Sequence, residues 1–280
     1  TVVLMQAELM ETVNVRWSVE QETWFVSSLT HRQEEVFDAW AAKQTDLQSV
    51  RFILQGENYV CRWLTLPGVQ GRHLPKALPF ALEESLIEDI SHYHLVTAGK
   101  LGKFTHRVYC SLLDQFNRLL EACDHHHLAL QQLIPETSLI PDNSLVHVDD
   151  FWLVNLPGLS EAKVHDSAIS AVFEGLCSSL EADTHSEITL IDKNLDTANL
   201  LKTQIDSSFA GVFSEIKVQQ GEFSDIRQQA LAGKCSDLLT AEFRPVEVKQ
   251  QQPTPWWTTI AVLAACWCAF AFVHISINNQ

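Results

Sequence analysis

Few residues in this sequence stand at spacings that could do chemistry. The nearest approach to a phosphate-binding loop is Gly99-Lys100-Leu101-Gly102-Lys103. A P-loop needs GxxxxGK followed by Ser or Thr, so that backbone amides and a hydroxyl hold the phosphates and Mg²⁺. Here Thr97 replaces the first glycine and Phe104 follows the lysine, so the run reads as a solvated hairpin turn. No GxGxxG occurs, and ten glycines are few for a nucleotide binder. His125-His126-His127 are adjacent, so on a helix or strand they point different ways and do not converge on one ion. Asp149-Asp150 could hold Mg²⁺ in a nuclease- or actin-type site, but a hairpin turn accounts for the pair without it. GxSxG and HExxH are both missing. The seven cysteines (Cys61, Cys110, Cys123, Cys177, Cys235, Cys266 and Cys268) form no CxxC pair and fit reduced thiols in a cytosol. The sequence therefore predicts no catalytic, cofactor-binding or metal-binding residue, and no enzyme.

The elements that would position any site are short strands alternating with helices. Residues 12–19 and 23–29 read as strands rich in β-branched and aromatic residues. Thr30 with Gln33 reads as a capping box for a helix burying Val36, Phe37, Trp40 and Ala41. Strands are predicted at 50–55 and 58–66, around a turn at Gly56-Glu57. Further strands are predicted at 92–97 and 104–110, then a helix at 111–123. The second half predicts a hairpin, 144–149 with 151–156, a helix at 161–181, a strand at 187–192, a helix at 196–205, a strand at 212–219 and a helix at 223–234. Leu66-Pro67-Gly68 recurs as Leu156-Pro157-Gly158, a weak sign of internal duplication. The pattern predicts an α/β body of two lobes, residues 1–143 and 144–243.

One helical run stands out between the lobe-building strands. Leu74, Ala77, Leu78, Ala81, Leu82, Leu86 and Ile90 recur at three- and four-residue steps, with Pro79 expected to kink the helix or restart it. Glu83, Glu84, Glu88 and Asp89 then form the opposite, acidic side. They are the candidate partner-binding residues, placed to steer a basic surface. The net charge is −16, and every charged residue precedes the last 31 positions. A body that acidic repels nucleic acid and anionic headgroups.

The end of the chain is of another kind. Residues 244–255, RPVEVKQQQPTP, read as an extended linker. Residues 256–277 are apolar and uncharged, and roughly 20 residues at about 1.5 Å each span a hydrocarbon core. A single transmembrane helix is expected there, with Trp256 and Trp257 at the membrane interface. Arg244 and Lys249 on its N-terminal side place the body in the cytoplasm and residues 278–280 outside as a short stub. The opening residues, TVVLMQAELMETV, carry acids where a leader peptide carries positive charge.

Three stretches resemble a known family. Leu66-Pro67, Arg72, Ala77-Leu78-Pro79-Phe80-Ala81-Leu82-Glu83-Glu84, Asp89-Ile90 and His94 resemble the "ALPFLLE…D…H" signature of the type II secretion L proteins (the GspL family). Ile134-Pro135-Glu136 with Leu139 and Pro141 is similar to that family's "PE…LP" segment. Asp237-Leu238-Leu239-Thr240-Ala241-Glu242-Phe243 is similar to its "NLLQGEF", with Thr240 and Ala241 departing from it. The resemblance implies an actin-like, RNase-H-type cytoplasmic body without nucleotide chemistry. It implies a non-enzymatic adaptor of the inner-membrane platform that recruits the secretion ATPase (the E protein). The M and F platform proteins would be its membrane partners, and a homodimer is left open. Family members normally carry a ferredoxin-like periplasmic domain after the helix, whereas this sequence stops at Gln280 and reads as a fragment or a shortened member. The rival readings are an actin-like ATPase and the related platform protein of a type IV pilus.

Overall fold

In a computed structural model, the described residues are 10–29, 33–44, 49–69, 71–179, 187–208, 212–240 and 243. The linker, the apolar span, Trp256 and Trp257 lie outside them. Among the described residues no helix is long and apolar enough to cross a membrane.

The chain runs β1 (Met10–Ser18), β2 (Thr23–Ser28), β3 (Glu34–Val36), α1 (Phe37–Ala41), β4 (Ser49–Leu54), β5 (Val60–Thr65), α2 (Leu74–Leu82), β6 (Tyr93–Leu101) and β7 (Thr105–Leu112). It continues through α3 (Leu113–His125), β8 (Ala129–Pro135), β9 (Ser144–Val148), β10 (Phe151–Leu156) and β11 (Ser160–His165). Then come α4 (Ile169–Ser179), β12 (Ile188–Asp192), α5 (Leu195–Ser208), β13 (Ile216–Gln220) and α6 (Phe223–Leu231). Strand–helix alternation is thus realised as an α/β body within one compact unit, Thr1–Arg244.

Two five-stranded sheets have the same plan. One runs β3-β2-β1-β4-β8 and the other β11-β10-β9-β12-β13. In each, three antiparallel strands are followed by two parallel ones. Helix α1 matches α4 in chain order, and α3 matches α5. The first sheet alone carries an insertion after β4, a three-stranded sheet of order β5-β7-β6 with α2. The duplication is therefore real in topology, but the Leu-Pro-Gly pair did not mark it. Leu66-Pro67-Gly68 leaves β5 of the insertion, whereas Leu156-Pro157-Gly158 joins β10 to β11. Both are turns with proline then glycine at positive φ, 81° and 83°, closed by Val69 N–H to Leu66 O (3.4 Å) and Leu159 N–H to Leu156 O (2.9 Å). That geometry suits a type II turn anywhere, so its recurrence reports turn chemistry rather than ancestry.

Alternation drives the burial. Val13, Val15 and Trp17 on β1 and Trp24 and Val26 on β2 enter the first core, with α3 contributing Phe116, Leu119 and Cys123. The second core joins Leu145, Trp152, Val154 and Leu190 to α4 and α5. A third cluster unites the sheets: Ile53 and Ile134 from one meet Val146, Leu153 and Ile191 from the other, over Leu139 and Phe223.

Several expectations are corrected. The first helix begins at Phe37 with Val36 as its uncapped N-cap, after a short strand, and Thr30 lies outside the described residues. The helix expected at 161–181 is a strand followed by a helix. Across the tight Leu156–Leu159 turn, β11 pairs in register with β10, and pairing overrides the helix propensity of Glu161, Ala162 and Lys163. Strand β8 was not expected, because Gln131 and Gln132 break its alternation. The register against β4 shifts between Val50 and Arg51, which accommodates an extra residue. Finally, α2 stops at Leu82. It accommodates Pro79 internally and buries Leu74, Leu78 and Leu82 against the three-stranded sheet.

Candidate functional site

The three-stranded sheet presents two unlike faces. On one, Val60, Leu64, Tyr93, Leu95, Val108 and Cys110 pack under α2. The alternating partners, Cys61, Trp63, His94, Arg107 and Tyr109, point into the body, as the period of two along a strand requires.

The inward face builds a polar joint that the sequence did not reveal. Its centre is Glu161 on β11, whose side chain is 0% exposed. Tyr109 donates its hydroxyl to Glu161 Oε1, and Thr137 Oγ1 donates to the same oxygen at 2.6 Å. Tyr59 Oη lies 2.6 Å from Thr137 Oγ1 and accepts the Thr137 N–H at 3.0 Å. Arg107 Nη1 and the Cys61 thiol each reach Oε2 at 3.4 Å. Two residues along β11, Lys163 bridges Glu57 Oε2 (3.1 Å) and Glu136 Oε2 (3.4 Å). Glu136 also accepts the Gly56 N–H at 3.0 Å. A Cβ on Gly56 would stand 2.5 Å from Lys163 Cβ, so only glycine lets this loop approach β11. The joint thus ties the β4–β5 loop, β5 and β7 to the 3₁₀ turn Glu136–Leu139 and to β11.

The joint is built to hold rather than to react. Burial, then the charge of Glu161, pushes the Cys61 thiol far above its ordinary range, which suppresses the nucleophilic thiolate. Burial likewise raises Tyr59 and Tyr109. Burial pushes Glu136 up against the pull of Lys163 and the Gly56 amide. Burial draws Lys163 down, but the Glu136 and Glu57 carboxylates outweigh it, and its affinity for a proton rises.

The stretch similar to "NLLQGEF" ties β8 of the first five-stranded sheet to β6 of the three-stranded sheet. Asp237 Oδ1 accepts the Leu133 N–H (3.1 Å), and Leu238 N–H returns to Leu133 O (2.8 Å). Leu238 and Leu239 are buried. His94 Nε2 lies 2.8 Å from Leu238 O, its ring stacked 4.3 Å from Phe116, with Phe243 edge-on at 5.1 Å.

The outward side carries the predicted partner-binding carboxylates, though not on one helical face. Glu83 and Glu84 occupy a 3₁₀ turn after α2, and Glu88 lies in the following loop. Asp89 caps a second 3₁₀ turn, accepting the Ser91 N–H at 2.9 Å, and those Ser91 bonds hold its carboxyl below the usual range. The Leu86 backbone turns extended, which ends the helix before Glu88. All four are exposed. Glu88 pairs with His92 (3.3 Å), while Glu83 and Glu84 make no ion pair among the described residues. Phe80 and Ile87 stand beside them, 80% and 101% exposed.

The other candidate motifs lie in two hairpin turns and at the end of α3. Gly102 has φ 61° in the β6–β7 turn, and Asp149 has φ 59° in the β9–β10 turn. His126 bonds Asp38 at 3.0 Å, with the His125 ring edge-on to it at 5.0 Å. Among the described residues no group of His, Cys, Asp and Glu is placed to hold a metal ion. The tips of the equivalent hairpins β1–β2 and β9–β10 carry Glu20 and Glu22, and Asp149 and Asp150, charges that oppose a phosphate.

Known proteins give this geometry its context. The sequence profile of type II secretion system (T2SS) protein L matches residues 6–245. The type II secretion system protein L of Pectobacterium carotovorum subsp. carotovorum is 30% identical over 98 residues, 34% of this chain and 23% of that protein. The chain therefore aligns with about a quarter of that curated relative. The structure is similar to the cytoplasmic domain of EpsL, an inner-membrane component of the type II secretion system of Vibrio cholerae. The TM-score is 0.57 at 17% identity, covering 83% of this chain and 99% of that one, which establishes a shared fold. A looser likeness, TM-score 0.44 at 12% identity over 76% of this chain and 85% of that one, is to a chain of a PilM–PilN type IV pilus biogenesis complex. With 240 consecutive residues matched end to end by one profile, and all three resembling stretches inside that span, the chain belongs to the type II secretion system protein L family.

Proposed function

We propose that this chain is a non-enzymatic adaptor of the inner-membrane secretion platform, which holds the secretion ATPase at the membrane. In this reading the body divides at residues 143/144 into two cytoplasmic lobes, related as in actin. Residues 244–255 link it to one membrane helix at 256–277, with Trp256 and Trp257 in the interface and 278–280 outside. The M and F proteins are its membrane partners. The observation that carries the proposal is the outward surface of the three-stranded sheet. There, among the described residues, Glu83 and Glu84 have no cation, next to Glu88, Asp89 and the exposed Phe80 and Ile87. Unpaired carboxylates round apolar side chains favour a partner surface with basic and apolar groups. Tethering then raises the local concentration of the motor without any chemistry in the tether. The joint supports the same reading, since it fixes the sheet that bears this surface.

Calorimetry of the full chain in detergent with the cognate ATPase tests the proposal. Saturable binding that weakens with salt is expected, and an absence of heat at low salt would refute it. Saturable binding of Mg-ATP with hydrolysis would favour an actin-like ATPase instead.

A further inference from the structure

We infer that the groove between the β1–β2 tip and the first turn of α3 seats a partner segment in which an apolar side chain adjoins lysine or arginine. This deepens the docking proposal and rests on it. The groove encloses about 730 Å³, within the roughly 300–1,000 Å³ typical of binding clefts. Trp17, Val19 and Leu113 supply its apolar lining, and Glu22, Glu88 and Asp114 its carboxylates.

Two exposed apolar side chains point to that occupant. Hairpin tips ordinarily take Gly, Asn, Asp or Ser, yet the first tip residue here is Val19, 78% exposed. Ile87, fully exposed, is the chain neighbour of Glu88, which lines the groove. Val19 gains little by remaining in water, and it loses exposed area when an apolar side chain of the partner lies against it in the groove.

Charge selects the company of that side chain. Arg118, the cation of the groove, is already engaged: it pairs with Asp114 at 2.9 Å and lies 5.4 Å over the Trp17 ring. Glu88 has the His92 imidazole at 3.3 Å. Glu22 makes no ion pair among the described residues, although it is held at the tip by a φ of 48°. Among the described residues, then, Glu22 is a groove carboxylate with no cation, and the groove repels a phosphate or an acidic peptide. Glu88 belongs both to the groove and to the outward acidic surface. Glu88 is thus the residue the groove shares with the run Glu83, Glu84, Glu88 and Asp89.

Calorimetry of the full chain with the cognate ATPase, at low and high salt, separates the two proposals. Glu22→Lys reverses the unpaired charge on an exposed turn, and Asn117→Trp fills the groove from α3. Each is expected to weaken binding about tenfold or more at low salt, with an unchanged urea midpoint as the control for folding. Wild-type binding with both variants matching it overturns the groove and leaves the docking proposal standing. No binding by the wild type removes both. Should Asn117→Trp disturb α3, a photo-crosslinker at position 19 gives the independent reading. Capture of an ATPase peptide containing Lys or Arg is expected there and not at exposed Leu200 on α5. Equal capture at both positions overturns the seat.

Discussion

The two faces of the three-stranded sheet treat charge in opposite ways. On the inward face, Arg107, Tyr109 and Cys61 converge on a carboxylate that water does not reach. On the outward side, α2 covers an apolar face and the chain then leaves it through Glu83 and Glu84, which are exposed and make no ion pair among the described residues. A buried charge must be paired or it opposes folding, so the inward groups are cement. An exposed charge is solvated whether paired or not, and contributes little to stability. It is free to meet a partner. The same sheet is therefore fixed from within and available from without. Substitutions should separate the two behaviours, stability changing with the inner face and binding with the outer.

The largest effect is expected at Glu161. Glu161→Ala leaves Arg107 inside without its carboxylate, and takes the acceptor from Tyr109 and Thr137. Removing one partner of a buried pair costs about 3–5 kcal/mol. The urea midpoint should fall accordingly. The double variant Glu161→Leu with Arg107→Met should recover part of the loss, because it removes the orphaned cation too. A midpoint unmoved by Glu161→Ala would mean that the joint is not cement, and the contrast between the faces would fail.

A smaller effect, in pH, comes from Glu136. Its folded carboxyl titrates above its ordinary value because burial disfavours the charge. A raised folded value contributes stability that is fully present below the unfolded pKa, about 4.3, and is lost as pH rises through the folded value. Glu136→Gln cannot titrate. The stability of the wild type relative to Glu136→Gln should therefore decline as pH rises above about 4.3, measured by urea titration at each pH. Lys163, held protonated by Glu136 and Glu57, shifts in the same sense and affects only the alkaline end. A difference that grows with pH would show that attraction to Lys163 outweighs burial at Glu136.

The outer face was more legible in the sequence than the inner one. Glu83, Glu84, Glu88 and Asp89 lie within seven consecutive positions, so a local reading finds them even though it misplaces the helix end. Leu86 and Ile90 extend the apolar period past Leu82, and periodicity cannot register the extended backbone at Leu86. The joint is assembled across long stretches of chain. Cys61 and Glu161 are 100 residues apart, and Tyr59 and Thr137 are 78 apart. The local signals, Glu161 and Lys163 alternating along a strand and Gly56 after β4, become visible only once 160–165 is read as β11. The helix expectation at 161–181 concealed them. The duplicated sheets escaped for a related reason, since strand order is fixed by pairing and Gln131 interrupts the pattern of β8.

The smallest effect on folding is expected where the effect on binding is greatest. Glu83→Lys with Glu84→Lys reverses two exposed charges that bond nothing among the described residues. No desolvated partner is orphaned, and the buried residues Leu78 and Leu82 remain in place under the sheet. The urea midpoint should stay at the wild-type value, while ATPase binding at low salt weakens and its salt dependence flattens. Asp89 is the internal control in this run. Its carboxylate accepts the Ser91 N–H and the Ser91 hydroxyl at 2.9 and 2.6 Å, so Asp89→Lys should loosen a turn as well as reverse a charge. If Glu83→Lys with Glu84→Lys lowers the midpoint as much as Asp89→Lys does, the outward carboxylates also serve the fold, and the division of labour between the two faces is wrong.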